Sequence, residues 1–315
     1  MAAKTFGDVW RRVALQVPGA PASLCQEWVQ STYNTLLGTG HWAWLRATTV
    51  LTTQAQRTLA LVNFTQGSTA ITSAALFLTT DVGRQIRIPN QTIYTIATVT
   101  NPSAADLTIP FAEPNAATSA RVQDYYLAMP ADFRSIYSVT DMDLQRPIAW
   151  WISRDRLDLF DPARIASNNK LRVLASYELS LVPSLLGRVL YEGWPPATSV
   201  GQYQLMYFKR TDTLADDDAF QGVLSTYTDA LVEGALSWAA RWPGTTDKKN
   251  PYFNLQLAKL HADRFDAERQ TLQVMDDDQY LMMLEQINLS KFGLAALAAD
   301  TTLMRESDAT LADYY

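Results

Sequence analysis

Cysteine and histidine are scarce in this chain. Cys25 is the one cysteine in 315 residues, so no disulfide can form within the chain. A lone thiol on an apolar helical stripe reads as a small buried hydrophobe, not a nucleophile. The two histidines are His41, in GTGHWAW, and His261, beside a helical stripe. Neither belongs to an HExxH or HxH pattern, which argues against a histidine-built zinc centre. Their spacing places no Ser-His-Asp triad. No stretch approaches the roughly 20 apolar residues of a membrane span. The start, MAAKTFGDVWRRV, lacks the apolar run of a secretory leader. The expectation is a soluble protein that matures in a reducing compartment, or in something assembled there.

Basic charge is also short. Lys and Arg number 26 against 32 Asp and Glu, a net charge of −6. A sequence-neutral DNA binder needs a basic surface to release counterions, so tight DNA binding is disfavoured. The acid is concentrated at the end. From Ala262 to Tyr315, eleven acidic residues face four basic ones. Phosphate-binding glycine patterns are missing as well: there is no GxxxxGK[ST] and no GxGxxG after a strand. There is no GxSxG nucleophile elbow. TQGSTAIT holds one glycine, Gly67, and reads as a hairpin turn.

What is present is apolar and aromatic. Apolar residues make up 48% of the chain, with nine Trp and fourteen Tyr, enough for a sizeable core and for interfaces. Phe6, Val9, Trp10 and Val13 recur with a helical period after Thr5, which forms a capping box with Asp8. PASLCQEWVQSTYNTLLG predicts a second helix. From Ala47 the period changes. TLALVNFTQ, QIRIPN, TIYTIATVT, DLTIPFAE, FRSIYSVTD, IAWWISRD, KLRVLASYEL and GQYQLMYFKR are strand-sized runs. VPSLLGRVLYEGWPPATSVG, broken by prolines, predicts a loop or hairpin. The helical period returns in DAFQGVLSTYTDALVEGALSWAARWPG. NPYFNLQLAKL predicts another helix, with Asn250 as its N-cap and Pro251 at its first position.

These runs predict an α+β fold. Its body is a small bundle of N- and C-terminal helices, with a large antiparallel β insertion and an extended C-terminal tail. The expected helical part is 1–41 with 214–278. The insertion is 42–213, a sandwich or barrel with possible subregions 42–126 and 127–213. The tail, 279–315, is apolar at first and acidic later, which suits docking on a partner.

The candidate sites are few. Three consecutive Asp side chains diverge, unlike the alternating ligands of a calcium loop. Asp216, Asp217 and Asp218 are expected to supply charge to the helix after them. Asp276, Asp277 and Asp278 are expected to form a solvated or partner-facing patch. Asp81 and Arg84, in the DVGR corner, are expected to form a turn salt bridge, or a contact with a neighbouring subunit. Trp150 and Trp151 are expected in core or interface. No catalytic residue, metal or cofactor is expected.

Taken together, WVQSTYNTLL running into HWAWLRATTVLTT, then NFTQGSTAIT, LTTDVGRQIRI and IYTIATV, resemble head-to-tail adaptor proteins of tailed bacteriophages. YYLAMPADFRSIYSVTD, YQLMYFKRTDTLADDD and ALVEGALSWAARWPG extend the resemblance from about Trp10 to Met275. It implies a structural protein of the virion neck, made in the bacterial host cytoplasm. Such a protein forms a ring, usually dodecameric, between portal and tail, with a lumen for genomic DNA and no enzymatic activity. It implies a C-terminal segment that grips the portal. Leu281, Met282, Leu284, Ile287, Phe292, Leu294 and Leu297 are then the candidate docking residues. Asp81, Arg84, Trp150 and Trp151 become candidates for the subunit or tail interface, and Asp276–Asp278 for the channel. Two other readings stand beside it: a carbohydrate- or host-surface-binding β module, and a hydrolase with a cryptic site.

Overall fold

The computed structural model describes residues 3–289 apart from 39, 90, 167, 212 and 246–248; from 277 to 289 it describes helix backbone only. The elements run α1 (Phe6–Gln16), α2 (Ala22–Gly38), β1 (Arg46–Thr53), β2 (Arg57–Phe64), β3 (Ala70–Ser73), β4 (Gln85–Arg87), β5 (Ile93–Asn101) and β6 (Ala104–Leu107). Then come β7 (Ala116–Ala128), β8 (Phe133–Asp141), β9 (Arg146–Pro147), α3 (Arg154–Phe160), β10 (Val173–Leu179), β11 (Val189–Ala197), β12 (Gly201–Lys209), α4 (Asp229–Arg241) and α5 (Leu255–Leu289). Two units are present: Ala47–Lys209, and Met1–Arg46 with Arg210–Tyr315.

The first unit is β. Strands β7, β2, β3, β6, β5 and β4 pair in that order, and β4 pairs back with β7, closing a barrel. Alternating side chains fill it: Val62, Phe64, Ile71, Ile86, Ile96 and Val122 are buried. Phe111 packs in this core, stacked on Phe64 at 4.8 Å and tilted against Tyr94 at 5.3 Å. Gly67, at φ +77°, turns β2 into β3, and its N–H donates to Phe111 O at 2.8 Å. Against β7, strand β2 carries one extra residue between Leu59 and Val62, a bulge that leaves Leu61 exposed at φ +50°.

Strand β7 is 13 residues long and serves three partners, with β4 on Arg121–Gln123. Its first part pairs with β2, and its last residues pair with β11, which pairs with β10. A second sheet has the order β1-β12-β8-β9. Leu51, Phe133, Ile136, Val139, Tyr203 and Leu205 pack with Leu171 and Leu174 in a core of their own.

The expected fold class does not hold. The chain is mostly β, a closed six-stranded barrel plus a second sheet with five described helices, not a terminal helical bundle carrying an insertion. The apolar stripes at the chain ends had made helices look like the body. The barrel and second sheet each bury their own core, so they do not depend on a helical mount. Two local expectations change too. IAWWISRD is not a strand; helix α3 starts at its end. The proline-rich segment is strand β11, with Pro195 and Pro196 inside the register shift between Glu192 and Ala197. A shift is where a strand tolerates residues without an N–H.

The second unit centres on α4, which is buried on nearly every side, as an all-round apolar helix requires. It packs on α1, α2 and α5. A Cβ on Gly234 would overlap Thr32 Cγ2 and stand 3.0 Å from Phe265, so glycine sets the approach of α2 and α5. Thr5 and Asp8 form the capping box of α1. The Asp216–Asp218 run does not serve the helix after it. Gly7 N donates to Asp216 O and Phe6 N to Asp218 O, both at 2.9 Å, so its carbonyls meet the first turn of α1. The Asp216 carboxylate accepts from Trp10 Nε1 at 2.9 Å and from Gln26 Nε2 at 3.1 Å. Nor is Asn250 an N-cap. Its Nδ2 donates to Ala239 O and Trp242 O, closing the end of α4, while Asn254 Oδ1 caps α5 by accepting from Gln256 N and Leu257 N.

Candidate functional site

The DVGR corner forms the expected turn with an Asp81–Arg84 pair, but the pair is buried. Asp81 is 0% exposed and Arg84 is 6% exposed. Arg84 Nε donates to Asp124 Oδ1 at 2.7 Å, and its Nη1 lies 3.3 Å from Asp81. Arg84 Nη2 donates to Ala55 O at 2.9 Å. Asp81 also pairs with Arg57 and accepts from Leu78 N at 2.8 Å. Two cations and two carboxylates thus neutralise each other where β4 meets β7. The corner's charge is spent inside the unit, holding the barrel closed.

A second network holds α3 beside β10 and β11. Glu192 is 2% exposed and pairs with Arg164, and Arg154 approaches it at 3.5 Å. The Arg154 guanidinium also lies 4.2 Å over the Tyr177 ring, which stacks on Tyr126 at 4.1 Å. Desolvation raises the Tyr126 hydroxyl far above the ordinary tyrosine range, and Tyr177 and Glu192 add to the shift. In the segment just before α3, Trp150 packs on the second-sheet core, while Trp151, edge-on to it at 6.1 Å, is 65% exposed. Of the four interface candidates, Trp151 is the one well placed for a partner.

The two histidines stand in different settings. His41 is exposed. His261 is 6% exposed, with Nδ1 2.7 Å from Glu233 and Nε2 2.7 Å from Tyr252 Oη. Tyr-His-Glu has the order of a nucleophilic relay. Burial, and then the Glu233 charge, raise the Tyr252 hydroxyl instead of acidifying it, the opposite of an activated nucleophile. The relay joins α4 to the loop before α5 and to α5 itself. Burial likewise raises the Cys25 thiol, which keeps it protonated and inert. Among the described residues, no group of His, Cys, Asp and Glu could hold a metal ion.

Helix α5 is the distinctive element of this unit. Ala258, His261 and Leu272 are buried along one stripe, with Phe265 and Arg269 half-buried between them. The last side chain described on this helix is Asp276, whose carboxylate accepts from Ala43 N at 2.6 Å. This candidate for an acidic channel patch therefore has an intramolecular task. The helix backbone then continues to Leu289, about 20 Å further. Leu281, Met282, Leu284 and Ile287 lie on that stretch, but their side chains, with those of Asp277 and Asp278, are outside the described residues. Phe292, Leu294 and Leu297 are outside them altogether.

Sequence reasoning missed the buried amides. Gln85 Oε1 accepts from Tyr125 N at 2.8 Å and Tyr126 N at 2.9 Å. Gln123 Nε2 donates to Pro196 O and Ala197 O. They satisfy the backbone where β7 leaves the barrel to join β11. Nothing local in the sequence marks them. Among the described residues, no helix is long and apolar enough to cross a membrane. No protein-family model matches the chain, and a search of curated proteins returns no significant match.

Proposed function

We propose that this protein is a structural adaptor of a tailed-phage neck, a ring subunit that links portal to tail and encircles the DNA path without catalysing a reaction. Helix α5 carries the reading. It is 35 residues long, its stripe is packed as far as Asp276, the last side chain described on it, and its backbone runs on through a leucine- and methionine-rich sequence of a kind suited to a partner's groove. The buried charges support it from another side. Arg84 and Arg164 are buried against Asp124 and Glu192, where they brace strands. The acidic balance suits a conduit, since a basic lumen would retain DNA by counterion release.

Truncation after Asp276 tests the reading. The shortened chain keeps its fold and loses binding to the portal in co-sedimentation. Undiminished portal binding by the shortened chain overturns the assignment of α5 as the gripping segment.

The exposed Trp151 favours one alternative, a carbohydrate-binding face on the β unit. Glycan binding that disappears in Trp151→Ala would replace the adaptor reading with that one.

A further inference from the structure

We propose that the free chain pairs with a second copy of itself along the edge of β1, strand against antiparallel strand. A sheet edge presents unpaired backbone groups, and folded chains shield such edges by closure, shortness, proline, charge or cover. The barrel has no edge, because β4 pairs with β7. Strand β9 ends one side of the second sheet with two residues, and the second is Pro147, which has no N–H. Strand β10 is covered. Ala149 bridges Val173, Leu174 N donates to Ala149 O at 2.7 Å, and Arg154 lies over Tyr177.

Among the described strands, β1 is eight residues long, has no proline and carries a single charge, Arg46, at its first position. It ends the second sheet beyond β12. From Ala47 to Gln56 there is no charge and no proline. Thr48, Val50 and Thr52 are exposed, and the inward row of Ala47 and Thr49 is only half-buried beside the buried Leu51.

The occupant follows from this composition. An antiparallel self-pair sets Ala, Thr, Val and Leu against one another, with no like charges opposed along Ala47–Gln56. A two-fold axis normal to the sheet keeps both inward rows on one side, so each copy's Ala47 and Thr49 gain cover. Pairing through β9 or β10 would meet a proline or a covered edge. The contact is isologous and closes at two copies. It concerns the free chain and does not depend on the ring reading.

Sedimentation of the full chain over a micromolar-to-millimolar series tests it. The wild type moves from monomer to dimer mass. Val50→Lys with Thr52→Lys weakens dimerisation at least about tenfold, by opposing like charges, with unchanged circular dichroism. Gln204→Lys, exposed on the interior strand β12, dimerises like the wild type. If the double variant unfolds, Thr48→Lys alone is read in the same way. A wild type that stays monomeric, or a dimer indifferent to the edge lysines, overturns the proposal. A monomer that still forms rings on portal overturns this pairing alone. A β1 dimer that ignores portal overturns the ring reading alone.

Discussion

Replacing Asp124 with alanine strands Arg84 in the barrel wall. Arg84 is 6% exposed, and its shortest ion pair is the one to Asp124 at 2.7 Å. Asp81 remains at 3.3 Å but already pairs with Arg57. The amide of Gln54 also loses its acceptor, the Asp124 carboxylate. Removing one partner of a buried ion pair costs about 3–5 kcal/mol, because the other charge stays buried. For a unit of this size that is a fall in Tm of about 6–20 °C. Asp124→Asn keeps an acceptor and costs less, about 1–3 kcal/mol. Arg12→Ala is the control. Its pair with Asp229 is 52% and 64% exposed, so the change is about 0–1 kcal/mol. Thermal and urea unfolding followed by circular dichroism read all three. A loss under about 1 kcal/mol for Asp124→Ala would refute the claim that this pair braces the barrel.

Other outcomes follow from the same contacts. Gly234→Ala overfills the α2–α4 crossing and destabilises by about 1–3 kcal/mol, and adding Thr32→Ser, which removes the overlapping methyl, recovers most of it in urea unfolding. Recovery that fails would locate the strain elsewhere. Burial works to raise the Glu113 carboxyl, but bonds from Thr92 and Tyr94 outweigh it and hold the group below its ordinary 4.5. A depressed carboxyl stabilises the fold above its unfolded value and loses that contribution as pH falls through the folded one. Stability of the wild type therefore drops below about pH 4.5, and Glu113→Gln flattens that limb in acid titration of the melting temperature. Trp151→Ala leaves stability within about 0.5 kcal/mol, because its ring is mostly in water.

Short-range patterns were the legible ones. Phe6, Val9 and Val13 announced α1, and TLALVNF and GQYQLMY announced β2 and β12, because neighbours along the chain fix both period and face. What failed depended on distant partners. Arg84 meets Asp124 forty positions away, so a pair within DVGR looked like a surface turn. Asp216 finds Trp10 across 206 positions, which hid its role at α1. Pro195 and Pro196 argued against a strand, and the register shift that admits them exists only once β7 and β11 are paired. The fold class was misjudged for a related reason. Helical stripes at the ends were conspicuous, whereas closure of the barrel rests on β4–β7 pairing, which leaves no local signature. The interface candidates divided on burial: Asp81 and Arg84 are buried, and Trp151 is exposed.

Native mass and negative-stain images of the full chain, mixed with its candidate portal, test the central claim most directly. The account predicts a closed ring of this protein seated on the portal, with an open lumen. A chain that stays unassembled in the presence of portal, with no ring in the images, contradicts it.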